Sequence, residues 1–201
     1  MGWSTFFCEG IAFLEYPMIY PHLDLRLVSL LAGLWLIASH VFALVCSKPL
    51  QKWLKTFPRS KGAGAALLVV DSVWALVMIA TMDLGEFTYL RTVLLVVIVV
   101  ATYLTFRYVE EFLAVRALGI FVLLLAEPLI EAAFLRPEVG RLLLVVLAYG
   151  FAVMGMIWVG LPYVLRDQIE WIRKSGAAWK GAAVAGIVYG GLLAVFGLGR
   201  F

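Results

Sequence analysis

The charged residues of this chain fall in clusters, and the stretches between them are apolar runs of about 20 residues. That spacing is the strongest constraint on the fold, because about 20 apolar residues in a helix cross the roughly 30 Å hydrocarbon core of a bilayer. Six such runs can be drawn, at 25–46, 63–82, 88–106, 112–134, 142–165 and 181–199. A helix satisfies its own backbone hydrogen bonds, so it is the natural spanning form for an uninterrupted segment. Composition agrees: 64 % of the residues are hydrophobic and 14 % charged, against about 25 % charged in a soluble domain. The expected fold is all-α, a polytopic integral membrane bundle of six transmembrane helices. Residues 25–201 form one transmembrane domain behind an outer-face interfacial segment, residues 1–24.

That leading segment is aromatic but broken by Glu9, Glu15, Pro17 and Pro21, so it reads as lying in the interface rather than crossing it. No basic residue precedes Arg26, which removes the positive start of a signal peptide. Phe6 stands where a myristoylation motif needs Ser or Thr. Insertion is therefore expected to begin with the first span.

Sidedness follows from Lys and Arg near the span ends. Lys48, Lys52, Lys55, Arg59 and Lys61 follow span one, Arg107 and Arg116 join spans three and four, and Arg166, Arg173, Lys174 and Lys180 precede span six. These eleven share one side, against Arg26, Arg91, Arg136, Arg141 and Arg200 on the other. The bias puts the basic loops in the cytoplasm and both termini outside, in a bacterial-type inner membrane. Trp53, Trp171 and Trp179 fall at the cytoplasmic boundary, where amphipathic rings favour the headgroup layer. After Pro162, Leu161, Leu165, Ile169 and Ile172 recur at helical spacing and predict a short surface helix. Basic residues spread over several loops give no nucleic-acid footprint. Cys8 and Cys46 fall on opposite sides of the expected membrane and read as small apolar residues.

Charges within the spans are the candidates for function, since each costs about 2.5 to 3.5 kcal/mol at a helix centre unless it is paired or hydrated. Asp71 interrupts span two. In span four Arg116 and Glu127 fall about 20° apart around the axis and Glu131 about 60° from Arg116, with Gly119 and Leu123 on the same stripe. That stripe is expected to face into the bundle. Pro128 removes a backbone donor and frees the carbonyl of Leu124. Depth along the spans predicts two interhelical ties, Asp71 with Arg116 and Arg91 with Glu127 or Glu131. The carboxylates then serve either as structural ties or as a path for protons or cations. Two three-span halves would be inverted, as in many transporters, yet spans one and five hold no counterparts of these charges.

His40, in the middle of span one, offers a single ligand to a haem or pigment, a contact for a quinone, or a hydrogen bond to a neighbouring helix. His22 lies 18 residues away, about 27 Å along a helix, and cannot serve as a second ligand. Cys46 lies on another face of the helix from His40, and Glu110 with Glu111 reads as a solvated helix start neutralised by Arg107. No metal-binding or nucleophile motif, phosphate-binding glycine loop or paired-cysteine motif occurs. In span six Ala182, Gly186 and Gly190 make a small-residue face suited to close helix packing, within the chain or between copies.

The leading functional expectation is a non-enzymatic membrane subunit or scaffold, surrounded by the lipid bilayer and packing against other membrane subunits. The alternatives are a small proton- or cation-coupled transporter using the carboxylates, and a redox or pigment subunit using His40.

Overall fold

The computed structural model describes residues 23–109, 112–138 and 140–199; residues 1–22 of the interfacial segment and the Glu110–Glu111 pair lie outside them. The described residues are helical and contain no strand. Eight helices follow in order: α1 Leu25–Val45, α2 Ser47–Thr56, α3 Lys61–Thr81, α4 Arg91–Tyr108, α5 Leu113–Ala133, α6 Arg141–Gly160, α7 Tyr163–Lys174 and α8 Gly176–Leu198. Short 3-10 turns at Phe57–Arg59 and Gly85–Leu90 lead into α3 and α4. Six helices, α4 taken with the turn before it, are long and apolar enough to cross a membrane.

Caps rather than hydropathy set the ends. Asp24 accepts from the Arg26 N–H at the start of α1, Ser60 from Ala63 at α3, and Ser175 from Ala178 at α8. Such a side-chain oxygen satisfies a backbone donor that has no partner within the helix. The two serines therefore start α3 and α8 at Lys61 and Gly176, ahead of their apolar runs. Span five ends at Gly160 rather than at residue 165 because Pro162 cannot continue the ladder. The expected surface helix follows as α7, with Leu165 buried in its underside. Helix α2 was not anticipated in the basic loop. Leu50, Trp53, Leu54 and Phe57 carry its helical periodicity, and Pro49 is tolerated because it lies in the first turn.

Helix α5 is the axis of the bundle: none of its residues is exposed, and it packs on α6 and α3 and touches α1. Toward its C-terminal end the core joins Leu25, Val28 and Leu36 of α1, Leu129 and Ala132 of α5, Leu144 and Ala148 of α6, and Leu193 of α8. Toward its N-terminal end Ala114 and Val115 pack with Phe57 and with Leu165 of α7. Helix α4 stands apart, with no buried residue and its main contact on α3.

Two of these contacts are made backbone to backbone. Gly33 of α1 lies so near α8 that a Cβ there would sit 2.6 Å from the Gly190 carbonyl oxygen, and one on Gly190 would sit 2.7 Å from that of Gly33. Helices α5 and α6 repeat the device: a Cβ on Gly119 would meet the Gly155 carbonyl at 2.9 Å, and one on Gly155 that of Gly119 at 2.8 Å. The small-residue face of the last helix is therefore filled by α1 of the same chain, and its register differs from the expected one. Ala182 is exposed, and Ala183 is buried in its place. At about 100° per residue Ala182 stands roughly 80° from Gly190, whereas Ala183 and Gly197 each stand within about 20°. A seam between straight helices alternates steps of three and four, so a strict every-fourth pattern drifts off it.

Candidate functional site

Gly64, Leu68 and Asp71 are the buried residues of α3 and fall within about 60° of one another around the axis. The first two touch α5: a Cβ on Gly64 would sit 2.7 Å from the Ala114 nitrogen, and Leu68 packs in one cluster with Leu113 and Ala117. One turn beyond Asp71, Trp74 meets Phe121 edge-on with ring centroids 5.9 Å apart. Helices α3 and α5 therefore run parallel, and Asp71 faces α5 at the level of Leu118–Ile120. It is the eleventh of the 21 residues of α3, about 15 Å from either end.

Asp71 is 2 % exposed, and neither of its carboxylate oxygens has a hydrogen-bond partner among the described residues. The expected tie to Arg116 is not formed. Arg116 stands nearly a turn closer to the basic end than the level of Asp71. On α5 it lies about 60° from Gly119, the residue that meets α6, and about 100° from Ala117, which packs with α3. Its Nε is buried without a partner.

Arg91, the cation of the second expected tie, bonds a backbone carbonyl. Arg91 begins α4, and its guanidinium donates to the Met82 carbonyl at 2.7 Å, closing the turn between α3 and α4. A carbonyl left free at the end of α3 is the nearer acceptor for this side chain. Glu127 turns instead to Glu131, one turn further along α5, and the two carboxyls share a hydrogen bond. The pair begins about 12 Å from the level of Asp71 along α5. Asp71 thus lies in the α3–α5 half of the bundle without the arginine partner expected for it, and Glu127 lies beside Glu131.

A hydroxyl pair lies beside this site, and sequence reasoning did not single it out. Ser72 Oγ and Thr102 Oγ1 are 2.7 Å apart and join α3 to α4, while each also donates to its own helix, to the Leu68 and Ile98 carbonyls. Ser72 is next to Asp71 and Thr102 is an isolated polar residue in an apolar run, but their register across two helices is a tertiary fact.

His40 does not offer a cofactor ligand. Its Nδ1 lies 2.8 Å from the Leu36 carbonyl, and its Nε2 edge packs against Gly186 where a Cβ would collide with the ring. A haem or pigment at Nε2 would have to take the place of α8. The residue fills the gap opposite a glycine in the α1–α8 seam. Nearby, Trp179 Nε1 donates to the Ala43 carbonyl and fastens the start of α8 to the end of α1. No group of three metal-ligating side chains occurs among the described residues.

No family model matches the chain, no curated protein is significantly similar to it, and no solved structure matches its fold.

Proposed function

We propose that the chain is a small multi-pass membrane transporter whose cargo or coupling ion is a proton or another small cation, taken up at Asp71. One observation carries the reading: a carboxyl at the midpoint of an apolar helix, 2 % exposed, with both oxygens unpartnered among the described residues. A structural role for Asp71 would require a partner, and the expected arginine makes none. An uncompensated carboxylate is unstable in such a place, so in the closed bundle Asp71 holds a proton or a bound cation. Transporter sites near the membrane midplane follow this pattern. The Glu127–Glu131 pair, with the backbone freed at Pro128, supplies a second station nearer the end of α5 away from the basic loops. Passage between the two requires water or a shift of α3 against α5, since about 12 Å separates them along the axis. In this reading the basic end, with α2 and α7, faces the cytoplasm.

The test is proton flux in liposomes carrying an internal pH-sensitive dye, driven by a potassium gradient with valinomycin. The parent protein is expected to dissipate the imposed gradient, Asp71→Asn to lower the rate at least tenfold, and Asp71→Glu to retain part of it. Equal rates for the parent and Asp71→Asn, or no flux above empty liposomes over a series of monovalent cations, would remove the transport reading.

A membrane-subunit role is favoured by a different observation, the absence of any buried residue in α4. Photo-crosslinkers placed at Val96 and Val100, which are exposed, would attach to a partner polypeptide in native membranes under that reading and only to lipid otherwise.

A further inference from the structure

A proton and a metal cation make different demands on the surroundings of Asp71. Hard cations take about six oxygen ligands from carboxylates, carbonyls, hydroxyls or water. A proton needs one oxygen and leaves a neutral carboxyl, which is far easier to bury than a charge. The oxygen atoms around Asp71 fit only the second demand. On α5 the stretch Leu113–Ala126 holds Arg116 as its single polar side chain and no side-chain oxygen. On α3 the residues between Lys61 and Thr81 that carry side-chain oxygen are Asp71 and Ser72. Ser72 stands about 100° away from Asp71 around the axis, and its hydroxyl is engaged by the Leu68 carbonyl and by Thr102 of α4.

The backbone does not make up the set. Metal-ion sites in transporters draw on the carbonyls of unwound helix, whereas α3 runs as one α-helix from Lys61 to Thr81, with its carbonyls engaged by the ladder. The carbonyl that Pro128 frees on α5, that of Leu124, lies about 6 to 9 Å past the level of Asp71 along the axis. Room for a hydration shell lies elsewhere. A crevice of about 300 Å³ runs between α3 and α4, walled by Leu68, Ser72, Val99 and Thr102, and Asp71 does not line it. On the α5 side, Gly64 against Ala114 and Trp74 against Phe121 close the contact on either side of the carboxyl. The charged and titratable groups of the two helices packed on α3 stand off from it. Arg116 is nearly a turn toward the basic end, and Glu127 and Glu131 begin about 12 Å along α5. Arg91 opens α4, Arg107 and Tyr108 close it, and Tyr103 lines the crevice. None of them bonds the Asp71 oxygens.

We infer that the ion held at Asp71 is a proton and not a metal cation. The inference deepens the transport reading and rests on it for the role of Asp71. Uptake forms one O–H bond between a carboxylate oxygen and a proton delivered by water, release breaks the same bond, and no other bond changes.

The experiment is infrared spectroscopy of the full chain in liposomes, in a choline buffer free of metal cations, with its aspartates isotopically labelled in the side-chain carboxyl. A protonated carboxyl shows a C=O stretch well apart from the carboxylate bands, and the label separates aspartate from Glu127 and Glu131. The expected result is a labelled C=O band at neutral pH that is unchanged by added lithium, sodium, potassium or magnesium. Its loss in Asp71→Asn and its replacement by an unlabelled band in Asp71→Glu assign it to this residue. Absence of the band in the parent, or its loss on addition of any one of those cations, would overturn the inference. Both outcomes are read in the parent protein, so neither depends on the folding of a variant. Flux measured on the same liposomes separates the two readings. Uptake of a metal cation that requires Asp71, without proton flux, would overturn the proton and keep transport. The band without any flux would keep the proton and remove transport.

Discussion

The α1–α8 seam and the α3–α4 contact both join long apolar helices, yet they are built from different parts. Across the first, Gly33 and Gly190 bring backbone against backbone, so no space remains and His40 can fill the single gap opposite Gly186. Across the second, Ser72 and Thr102 reach one another through their side chains, which holds the helices at a side chain's distance and leaves the crevice between them. The α5–α6 pair follows the first design through Gly119 and Gly155. Between the two designs lies the α3–α5 face, closed by Gly64 at one end and by Trp74 on Phe121 at the other, with Asp71 enclosed in the middle. Glycine seams make rigid pairs in a bilayer because close packing, not hydrophobicity, drives helix association there. A contact held by a hydroxyl pair, without facing glycines, is more open. The rigid pairs are suited to framing, and the looser face is where movement and ligands can be accommodated.

The largest expected effect would break this comparison at its tight side. Gly33→Val should lower stability by about 3 kcal/mol, since its Cβ meets the Gly190 backbone, which cannot move aside. Thermal unfolding in detergent reads it, and an unchanged midpoint would mean that the α1–α8 seam is not backbone to backbone. Next in size, Asp71→Leu keeps the branch at Cγ and breaks no hydrogen bond among the described residues, so it should raise stability by about 2 kcal/mol while abolishing flux. A fall of that size instead would show that Asp71 is tied to a partner after all. Gly150→Ala lies in the middle of α6 with no atom within 4 Å of the added methyl, and should stabilise by about 0.5 to 1 kcal/mol through helix propensity. Set against Gly33→Val, it separates glycines that serve packing from those that do not. Smallest, Ser72→Ala should cost about 0.6 kcal/mol, the scale of an interhelical hydroxyl bond in a membrane. A double-mutant cycle with Thr102→Val isolates that term, and strict additivity would mean that the hydroxyls do not interact.

How far the residues alone could be read differs between fold and site. Run length located all six long helices, because the apolar stretch that a bilayer requires is a local property. Helix ends were missed at α3 and α8, where Ser60 and Ser175 extend the helix past its hydrophobic part, and α2 was missed because its periodicity occupies only ten residues. The acidic residues of α3 and α5 were visible as exceptions in apolar runs. Their partners were not: depth alone matched Asp71 to Arg116 and Arg91 to Glu127, but side-chain contact depends also on the angle about each helix axis. Arg116 lies on the α6 side of α5, and Arg91 donates to the free carbonyl at Met82. Rotation about an axis is set by packing, and the packing here is decided by glycines whose opposite glycine lies 36 residues away in one case and 157 in the other.

What the sequence determined by itself was the number of apolar helices, the asymmetry of basic residues between the two ends and the presence of acids within the spans. Each is recorded by residue type and local spacing. Only the tertiary structure decided that the last helix gives its small face to the first, that His40 packs under Gly186 instead of presenting a ligand, and that Asp71 has no partner among the described residues. Those depend on which faces of distant helices meet, and that is a property of shape complementarity between segments with no shared local signal.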